Sequence, residues 1–419
     1  MFGRVKTEVL IVGAGPVGLL AALELTEQGI PVEIIDEQWR AAGHSYALAL
    51  HAGSLHLLDR LGLAEAAIAR GHGLTTLSVF EEDERRAALR LGLSESRYPF
   101  VLSLPQSALE SLLSERLERA GVHVRWNHRL ASLEPSADGC VARVDRLAKE
   151  STGYGVAHTD WVIDATKEFR ASYVIGADGH RSMVRRALGA TFDEIGPSQV
   201  FAVFECASDG ATHDQPCLVV HGTTVNAMWP LNDGRARWSL ERTASMAEAE
   251  HRFKSRLTTQ MGERYFPYLG EDTLRAMLIE RAPWFPALRG LDWSIEVRFE
   301  RRLSSLAGRD RVWLAGDALH TTAPAGMQSM NSGLREASTL ASCIAAARKD
   351  GADIRAFEEY GRQTMADWRF LLGRSGGLMA GRDTSSFASQ NAARLLPCLP
   401  GLGDELESLA GQLRLSVER

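Results

Sequence analysis

The stretch Thr7–Asp36 reads TEVLIVGAGPVGLLAALELTEQGIPVEIID, and its pattern decides the fold. Thr7 to Val12 is short, mostly apolar and rich in branched side chains, like a buried parallel strand. Val17 to Gln28 follows a helical pattern, and Gly29 stops it. Val32 to Ile35 is a second buried strand that ends at Asp36. The unit is β-α-β. Its turn, Gly13-Ala14-Gly15-Pro16-Val17-Gly18, has the spacing G-x-G-x-x-G. Gly13 permits the tight turn, Gly15 lets the backbone approach a pyrophosphate, and Gly18 lets helix and strand pack closely. Free N–H groups, including those after Pro16 and Val17, and the helix dipole would hold the phosphates. The Asp36 carboxylate suits a ribose diol and would repel a 2′-phosphate.

The remaining composition narrows the class. A chain of 419 residues can hold two or three domains. Net charge −6 argues against an electrostatic nucleic-acid surface. The five cysteines, Cys140, Cys206, Cys217, Cys343 and Cys398, form no CxxC pair, as expected of a reduced cytoplasmic protein. That also disfavours a flavoprotein disulfide reductase. No metal-ligand spacing is present, so no metal is expected. Arg4 and Lys6 before the run Val9–Leu23 imitate a signal peptide, but Glu8 and the glycine turn interrupt it. Neither a leader nor a membrane span is expected.

Helical patterns occur at Ser54–Leu61 and Gln106–Ala120, and Val122–Trp126 reads as a strand. Arg129–Asp145 and Thr159–Ile175 are strand-rich, with the polar segment Lys149–Gly155 between them. From about Thr191 the texture changes. Gln199–Cys206, Cys217–His221, Val225–Pro230 and Arg235–Glu241 alternate like antiparallel strands, one turn being Asn232-Asp233-Gly234. Met246–Met261 reads as a charged amphipathic helix, and Ile295–Leu303 returns as a strand. After the short strand Arg311–Ala315, helices dominate.

Two further motifs stand at the ends of short apolar strands, where ligands sit in open α/β sheets. One is Tyr173-Val174-Ile175-Gly176-Ala177-Asp178-Gly179-His180-Arg181-Ser182-Met183-Val184-Arg185. The other runs Gly316-Asp317-Ala318-Leu319-His320, then through Pro324-Ala325-Gly326-Met327-Gln328-Ser329-Met330-Asn331 to Gly333. Asp-Gly and Gly-Asp also occur as plain turn formers, which leaves a structural role open for Asp178 and Asp317. Taken together and in this order, the motifs resemble the group A flavoprotein monooxygenases, the p-hydroxybenzoate hydroxylase-like family. The family pattern is a Gly-rich turn, then GADGxxSxVR, then GDAAHxxPPxGGxGxNxG. The likeness runs from about Thr7 to Ala337 and includes Gln106-Ser107-Ala108-Leu109-Glu110.

The resemblance implies noncovalent FAD. It would place Asp178 near the pyrophosphate and a nicotinamide path, and Arg185 in the cofactor region. Gln106 and Asp317, with Gly316, would meet the ribityl chain. Pro324 and Gly326 would line the ring, and the N–H groups of Met330 and Asn331 would face the flavin O2 edge. A helix N-terminus there stabilises negative charge on reduced flavin. The chain departs from the pattern at Met327 and Ser329, where the family has glycine, and at Tyr46, where many members have arginine; Arg40 is a candidate substitute. No thioredoxin-like domain of the kind some members carry is expected after the helical part. His320 reads as a structural hydrogen-bonding residue more than a base. Trp229 and Trp238 read as sheet core. His221, Met228 and Tyr98 are pocket candidates beside Pro324.

The expected fold is α/β: a Rossmann-like FAD-binding domain, a second antiparallel-sheet substrate domain and a helical C-terminal part. The expected bounds are 1–190 for the FAD-binding domain, with substrate-side insertions near 75–100, then 191–290 for the substrate domain. The FAD domain continues over 291–350, and C-terminal helices fill 351–419. The resemblance implies a cytoplasmic monooxygenase, monomeric or homodimeric, with no nucleic-acid or membrane partner. NADPH or NADH would reduce the flavin, and a C4a-hydroperoxide formed with O2 would hydroxylate or epoxidise an electron-rich, aromatic small molecule. One alternative is a flavin-dependent halogenase, but the lysine and WxWxIP segment that such enzymes need are missing. The chain has only Lys6, Lys149, Lys167, Lys254 and Lys349. The other alternative is a flavin-binding protein without oxygenase activity.

Overall fold

A computed structural model of the chain describes residues 4–39, 47–136, 139–152, 158–208, 215–243, 258–261, 264–267, 269–350 and 354–419. The first strand, Arg4–Val12, belongs to a seven-stranded sheet. It lies parallel between Val32–Ile35 and the long strand His158–Gly176, which pairs on its other side with Val312–Leu314. Val9, Leu10 and Ile11 are fully buried, as continuous apolar strands covered on both faces must be. The helix Pro16–Glu27 is buried from Pro16 to Leu25 on all sides, so its sequence needs no polar stripe. Its one buried acid, Glu24, is matched by Arg60 at 3.0 Å and the Ser338 hydroxyl at 2.9 Å.

An eight-stranded sheet stands beside it, in the order His320–Thr321, Leu288–Ser304, Phe192–Ser208, Arg235–Arg242, Thr224–Pro230, Cys217–His221, Thr76–Glu81, Glu84–Arg90. Thus the segment near 75–100 contributes strands to this sheet. The sheet also extends past 290: Leu288–Ser304 pairs antiparallel with Phe192–Ser208 along most of its length. Long-range pairing of this kind leaves no composition break, so the expected boundary at 290 falls inside a strand.

Two other elements differ from expectation. Val122–Trp126 is not a strand; it touches the parallel sheet through a single bridge, Ile35 to Arg125. Of the helix expected over Met246–Met261, residues 246–257 lie outside the described residues, and Thr258–Met261 pairs as a strand with Arg264–Pro267. The C-terminal part holds helices Gln328–Asp350, Ile354–Leu371, Ser386–Leu395 and Asp404–Gln412, with a strand pair Gly377–Ala380 and Leu415–Glu418. These helices share a core with one face of the antiparallel sheet, where Trp368, Phe387 and Leu395 meet Val225, Ala227 and Trp229. The opposite face, with Trp238, Met228 and Phe204, is covered by the helix Glu271–Arg281. Among the described residues no helix is long and apolar enough to cross a membrane. All five cysteines are buried and unbridged.

Candidate active site

Parallel register brings the three motifs to one edge. Val12 aligns with Gly176 and Ile35, and Gly176 aligns with Leu314, so the strands end together. Gly13 has φ +104°, and a methyl there would lie 2.2 Å from the Ala177 carbonyl oxygen. A methyl on Gly18 would lie 2.0 Å from the Gly13 carbonyl oxygen. These two glycines serve packing. Gly15 differs: a methyl there meets nothing within 4 Å, so its backbone faces open space at the N-terminus of the helix. Asp36 accepts hydrogen bonds from Ala14 N and Gln38 N, each at 2.7 Å. Burial holds its carboxyl above the ordinary range, against the pull of those two N–H groups. Each oxygen keeps acceptor capacity for a ribose hydroxyl.

Asp178 Oδ2 accepts from Met183 N at 2.7 Å and Val184 N at 3.1 Å, which caps the helix Met183–Ala187. Its Oδ1 is buried and accepts no hydrogen bond among the described residues. Arg185 is a tie between motifs: it donates to the Ala318 and His180 carbonyls, both at 2.7 Å, and lies 3.8 Å from the centroid of Phe192. It therefore fixes the turn Gly316–Ala318. Within that turn Gly316 has φ +63° and Asp317 alone is exposed. The Ser329 hydroxyl donates to Asp317 Oδ1 at 2.7 Å.

Below this turn lies a buried polar network that no motif spells out. Glu336 accepts from Gly316 N at 2.8 Å, the Ser332 hydroxyl at 2.8 Å and Trp368 Nε1 at 2.9 Å. His320 Nε2 completes the set at 2.9 Å, and its ring stacks 3.6 Å from Trp368. Burial opposes the charged form of Glu336, yet His320 and the other donors outweigh it and hold the carboxyl below its ordinary value. His320 thus braces the turn Gly316–Ala318 through Glu336.

The loop from Ala323 to Met327 is clamped from several sides. Asn331 Nδ2 donates to the Met327 carbonyl at 2.7 Å and the Ala49 carbonyl at 2.9 Å. Asn331 Oδ1 accepts from His51 N at 2.8 Å and the Ser54 hydroxyl at 2.7 Å. His51 Nε2 lies 3.0 Å from the Gly326 carbonyl, and burial pushes that imidazole down to about 4. A methyl on Gly326 would lie 2.6 Å from the Pro397 carbonyl oxygen, and Gln328 Nε2 donates to the Leu396 and Leu399 carbonyls. The C-terminal segment 396–399 is therefore part of the loop's seat. Met327 has φ +53°, the backbone form that explains a glycine preference there. Its side chain is buried in the second core rather than free in a cleft. The first-turn N–H groups of Gln328–Asp350, which include Met330, have no acceptor within the helix.

The antiparallel sheet closes the site from the far side. Phe201, Val203 and Ile295 form one buried cluster with Ala323, while Ala325 and Met327 pack with Val225, Ala227 and Trp229. Pro324 is buried between these contacts. The structure does not bring the other pocket candidates there. Tyr98 packs edge-on against His56 at 5.1 Å in the first core, and Met228 lies on the sheet's opposite face. His221 sits at a hairpin end, paired with Glu82 at 3.0 Å. Gln106 Nε2 donates to Glu110 Oε1 at 2.7 Å, and burial lifts the Glu110 carboxyl to about 7, with Asp36 adding to the rise. Arg40 and Tyr46 lie outside the described residues.

The open space at Gly15, the exposed Asp317 and the buried, donorless Asp178 Oδ1 fit the two halves of a flavin dinucleotide. The FAD binding domain family matches residues 6–367. Para-nitrophenol 4-monooxygenase of Pseudomonas sp. (strain WBC-3) is 27% identical over 360 residues, covering 84% of this chain and 81% of its own. A 6-methylpretetramide 4-monooxygenase of Streptomyces rimosus is 28% identical over 80% of this chain. The chain spans 55% of that relative's length, and 62% of a Streptomyces rimosus anhydrotetracycline monooxygenase. The crystal structure of p-nitrophenol 4-monooxygenase from Pseudomonas putida DLL-E4 superposes with TM-score 0.73 at 22% identity, covering 98% of this chain and 95% of its own. With its motifs converging on one cradle, the chain belongs to the FAD binding domain family.

Proposed function

We propose that this protein is an FAD-dependent monooxygenase that uses NAD(P)H and O2 to hydroxylate an electron-rich aromatic small molecule. The observation that carries this reading is the apolar sheet face, Phe201, Val203 and Ile295, set against the Ala323–Met327 loop. Such a wall suits a flat, apolar substrate and excludes water from the reacting edge. When bound, FAD supplies the redox and oxygen chemistry.

The chain's own residues do the rest. The Gly13–Gly18 turn and the first helix would hold the pyrophosphate, and Asp36 would hold the ribose. Asp317 and Gln106 would take the ribityl hydroxyls, and Asp178 a hydroxyl near the same edge. The N–H groups of Met330 and Asn331 would meet negative charge at the pyrimidine edge, where the dipole of a long helix favours it. Pro324 and Gly326 would set the ring's height. Five buried thiols, none of them bridged, support a cytoplasmic location. The halogenase alternative gains nothing from the relatives named above, all of them monooxygenases. The test is O2 uptake with NADPH and with NADH across a panel of phenols, with 18O2 incorporation read by mass spectrometry. A flavin-loaded protein that oxidises no member and incorporates no label would overturn the reading.

A further inference from the structure

The third motif departs from the family pattern at Ser329, and the departure falls beside the buried pair His320 and Glu336. Ser332 and Glu336 stand three and seven residues after Ser329 on the helix Gln328–Asp350, so the three share one stripe of it. His320 meets that stripe from the short strand His320–Thr321. Four groups then form a chain from surface to core: Asp317, Ser329, His320 and Glu336. Ser329 Oγ lies 2.7 Å from Asp317 Oδ1 and 3.5 Å from His320 Nδ1, and His320 Nε2 lies 2.9 Å from Glu336 Oε1. Asp317 is exposed, whereas the His320 and Glu336 side chains are 0% and 4% exposed.

Counting protons gives the chain a direction. The Glu336 carboxylate only accepts, so His320 Nε2 carries a hydrogen. Ionised Asp317 also only accepts, so the single Ser329 proton is spent on it. Toward His320 the Ser329 oxygen can then only accept, and Nδ1 must carry a second hydrogen. The arrangement observed therefore belongs to the imidazolium form of His320. In the neutral form a bare Nδ1 lone pair faces the Ser329 oxygen. The hydroxyl gains by turning its proton to Nδ1, and Asp317 loses its donor. The long 3.5 Å contact fits a hydroxyl whose proton points elsewhere.

We infer that Ser329 is a positioning residue, and that the charge on His320 decides whether its hydroxyl holds Asp317. Glycine has no hydroxyl, so the family pattern offers no such control. The elements packed against His320 present Glu336 from the helix Gln328–Asp350 and the uncharged Trp368 from Ile354–Leu371. Arg185 reaches the nearby Ala318 carbonyl from the helix Met183–Ala187. Arg302, paired with Glu300, stands opposite Thr321 on the strand Leu288–Ser304. The inference rests on the reading of Asp317 as a ligand of the flavin.

Equilibrium dialysis of the FAD-loaded full chain, between about pH 5.5 and about 8.5, measures FAD affinity across the range in which histidine titrates. Asp36, Glu110 and Asp178 are titratable near the cofactor in every variant. The quantity read is therefore the ratio of wild-type to Ser329→Ala affinity at each pH, in which their effects cancel. That ratio should be about two- to tenfold at the acid end, the worth of one hydrogen bond, and near unity at the alkaline end. Ser329→Gly, a second variant without the hydroxyl, should match Ser329→Ala. Ser329→Thr keeps the hydroxyl and should follow wild type. A ratio that stays constant or rises with pH would overturn the inference, as would a Ser329→Thr protein that behaves like Ser329→Ala. Asp317→Ala separates the two levels. If it weakens FAD binding while the ratio stays flat, the inference alone fails. If it binds FAD as wild type does, the reading of Asp317 as a flavin ligand fails and the inference falls with it.

Discussion

The Ser329 hydroxyl donates to Asp317 Oδ1 at 2.7 Å, at a position where the family motif has glycine. Asp317 is the exposed residue of an otherwise buried turn, so its carboxylate would sample several rotamers if left alone. Ser329 holds it in one of them. We expect Ser329→Ala to weaken FAD binding by about 0.5–1.5 kcal/mol, the worth of one ordinary hydrogen bond. Asp317→Ala should cost more, about 1–3 kcal/mol, since it would remove the proposed ribityl ligand itself. Titration of apoprotein with FAD, followed by protein fluorescence, measures both. Wild-type affinity in Ser329→Ala would show that the contact positions nothing.

Gly15 and Gly18 should fail in different ways. A side chain at Gly15 enters open space, whereas one at Gly18 strikes the Gly13 carbonyl at 2.0 Å. Gly15→Val should therefore leave the apoprotein folded and strip it of flavin. Gly18→Ala should lower apoprotein stability first, by about 1–3 kcal/mol, as overpacking does. Flavin absorbance after purification and denaturant unfolding of the apoproteins separate the two outcomes. A Gly15→Val protein that stays yellow would remove Gly15 from the phosphate site.

The convergence of the three motifs on one sheet edge was legible because strand, turn and helix lie next to each other in sequence. Thr7–Asp36 and the segments ending at Asp178 and Asp317 each carry their own signal. What stayed hidden is built from distant pieces. His51 meets Asn331 across the chain, and Trp368 meets Glu336 with no shared motif. The C-terminal segment seats Gly326 through backbone carbonyls, which any residue supplies. The sheet face was read as alternation in Gln199–Cys206, but alternation does not say which face meets the loop. Phe201 and Val203 face it, and Met228 does not. The short apolar run Val122–Trp126 imitates a strand, yet only Arg125 bridges. Such runs are ambiguous by periodicity.

Met327 sets two effects against each other. Its φ of +53° strains a side-chain-bearing residue, and glycine would relieve about 1 kcal/mol. The same change empties a buried side-chain site in the second core, which costs about 2–5 kcal/mol for a methionine cut back. The cavity wins, so Met327→Gly should be less stable by about 1–4 kcal/mol despite restoring the family residue. Urea unfolding measures it. A variant more stable than wild type would mean that backbone strain dominates at this position.

Glu110 predicts a pH dependence. Burial is the main cause of its rise from 4.5 to about 7; the Gln106 amide opposes it and Asp36 adds to it. The folded state keeps a proton that the unfolded state has lost, so stability is full below the unfolded value and falls as pH rises through about 7. The loss is on the order of 3 kcal/mol across that window. Glu110→Gln keeps the acceptor for Gln106 and has no proton to lose. Its stability between pH 5 and 8 should be flatter than that of wild type. Parallel curves for the two proteins would show that Glu110 titrates normally.

Glu336 should behave in the opposite sense. Its folded carboxyl lies below the ordinary value, so its stabilising effect is present above the unfolded value and is lost as pH falls. The carboxylate collects donors from Gly316 N, Ser332, His320 and Trp368. A glutamine there offers one acceptor oxygen and turns an amide N–H group toward other donors. Breaking such a buried set costs about 3–5 kcal/mol. The damage should spread to the site, because Gly316 N anchors the turn that presents Asp317 and Trp368 anchors the C-terminal helices. We therefore expect Glu336→Gln to lower stability and FAD affinity together. His320→Phe should keep the stacking surface on Trp368 but strand the carboxylate, with a similar loss. Unfolding curves near neutral and acid pH, with FAD titration of whatever remains folded, test this. If Glu336→Gln loses stability at neutral pH but binds FAD as wild type does, the network braces the helices without shaping the turn.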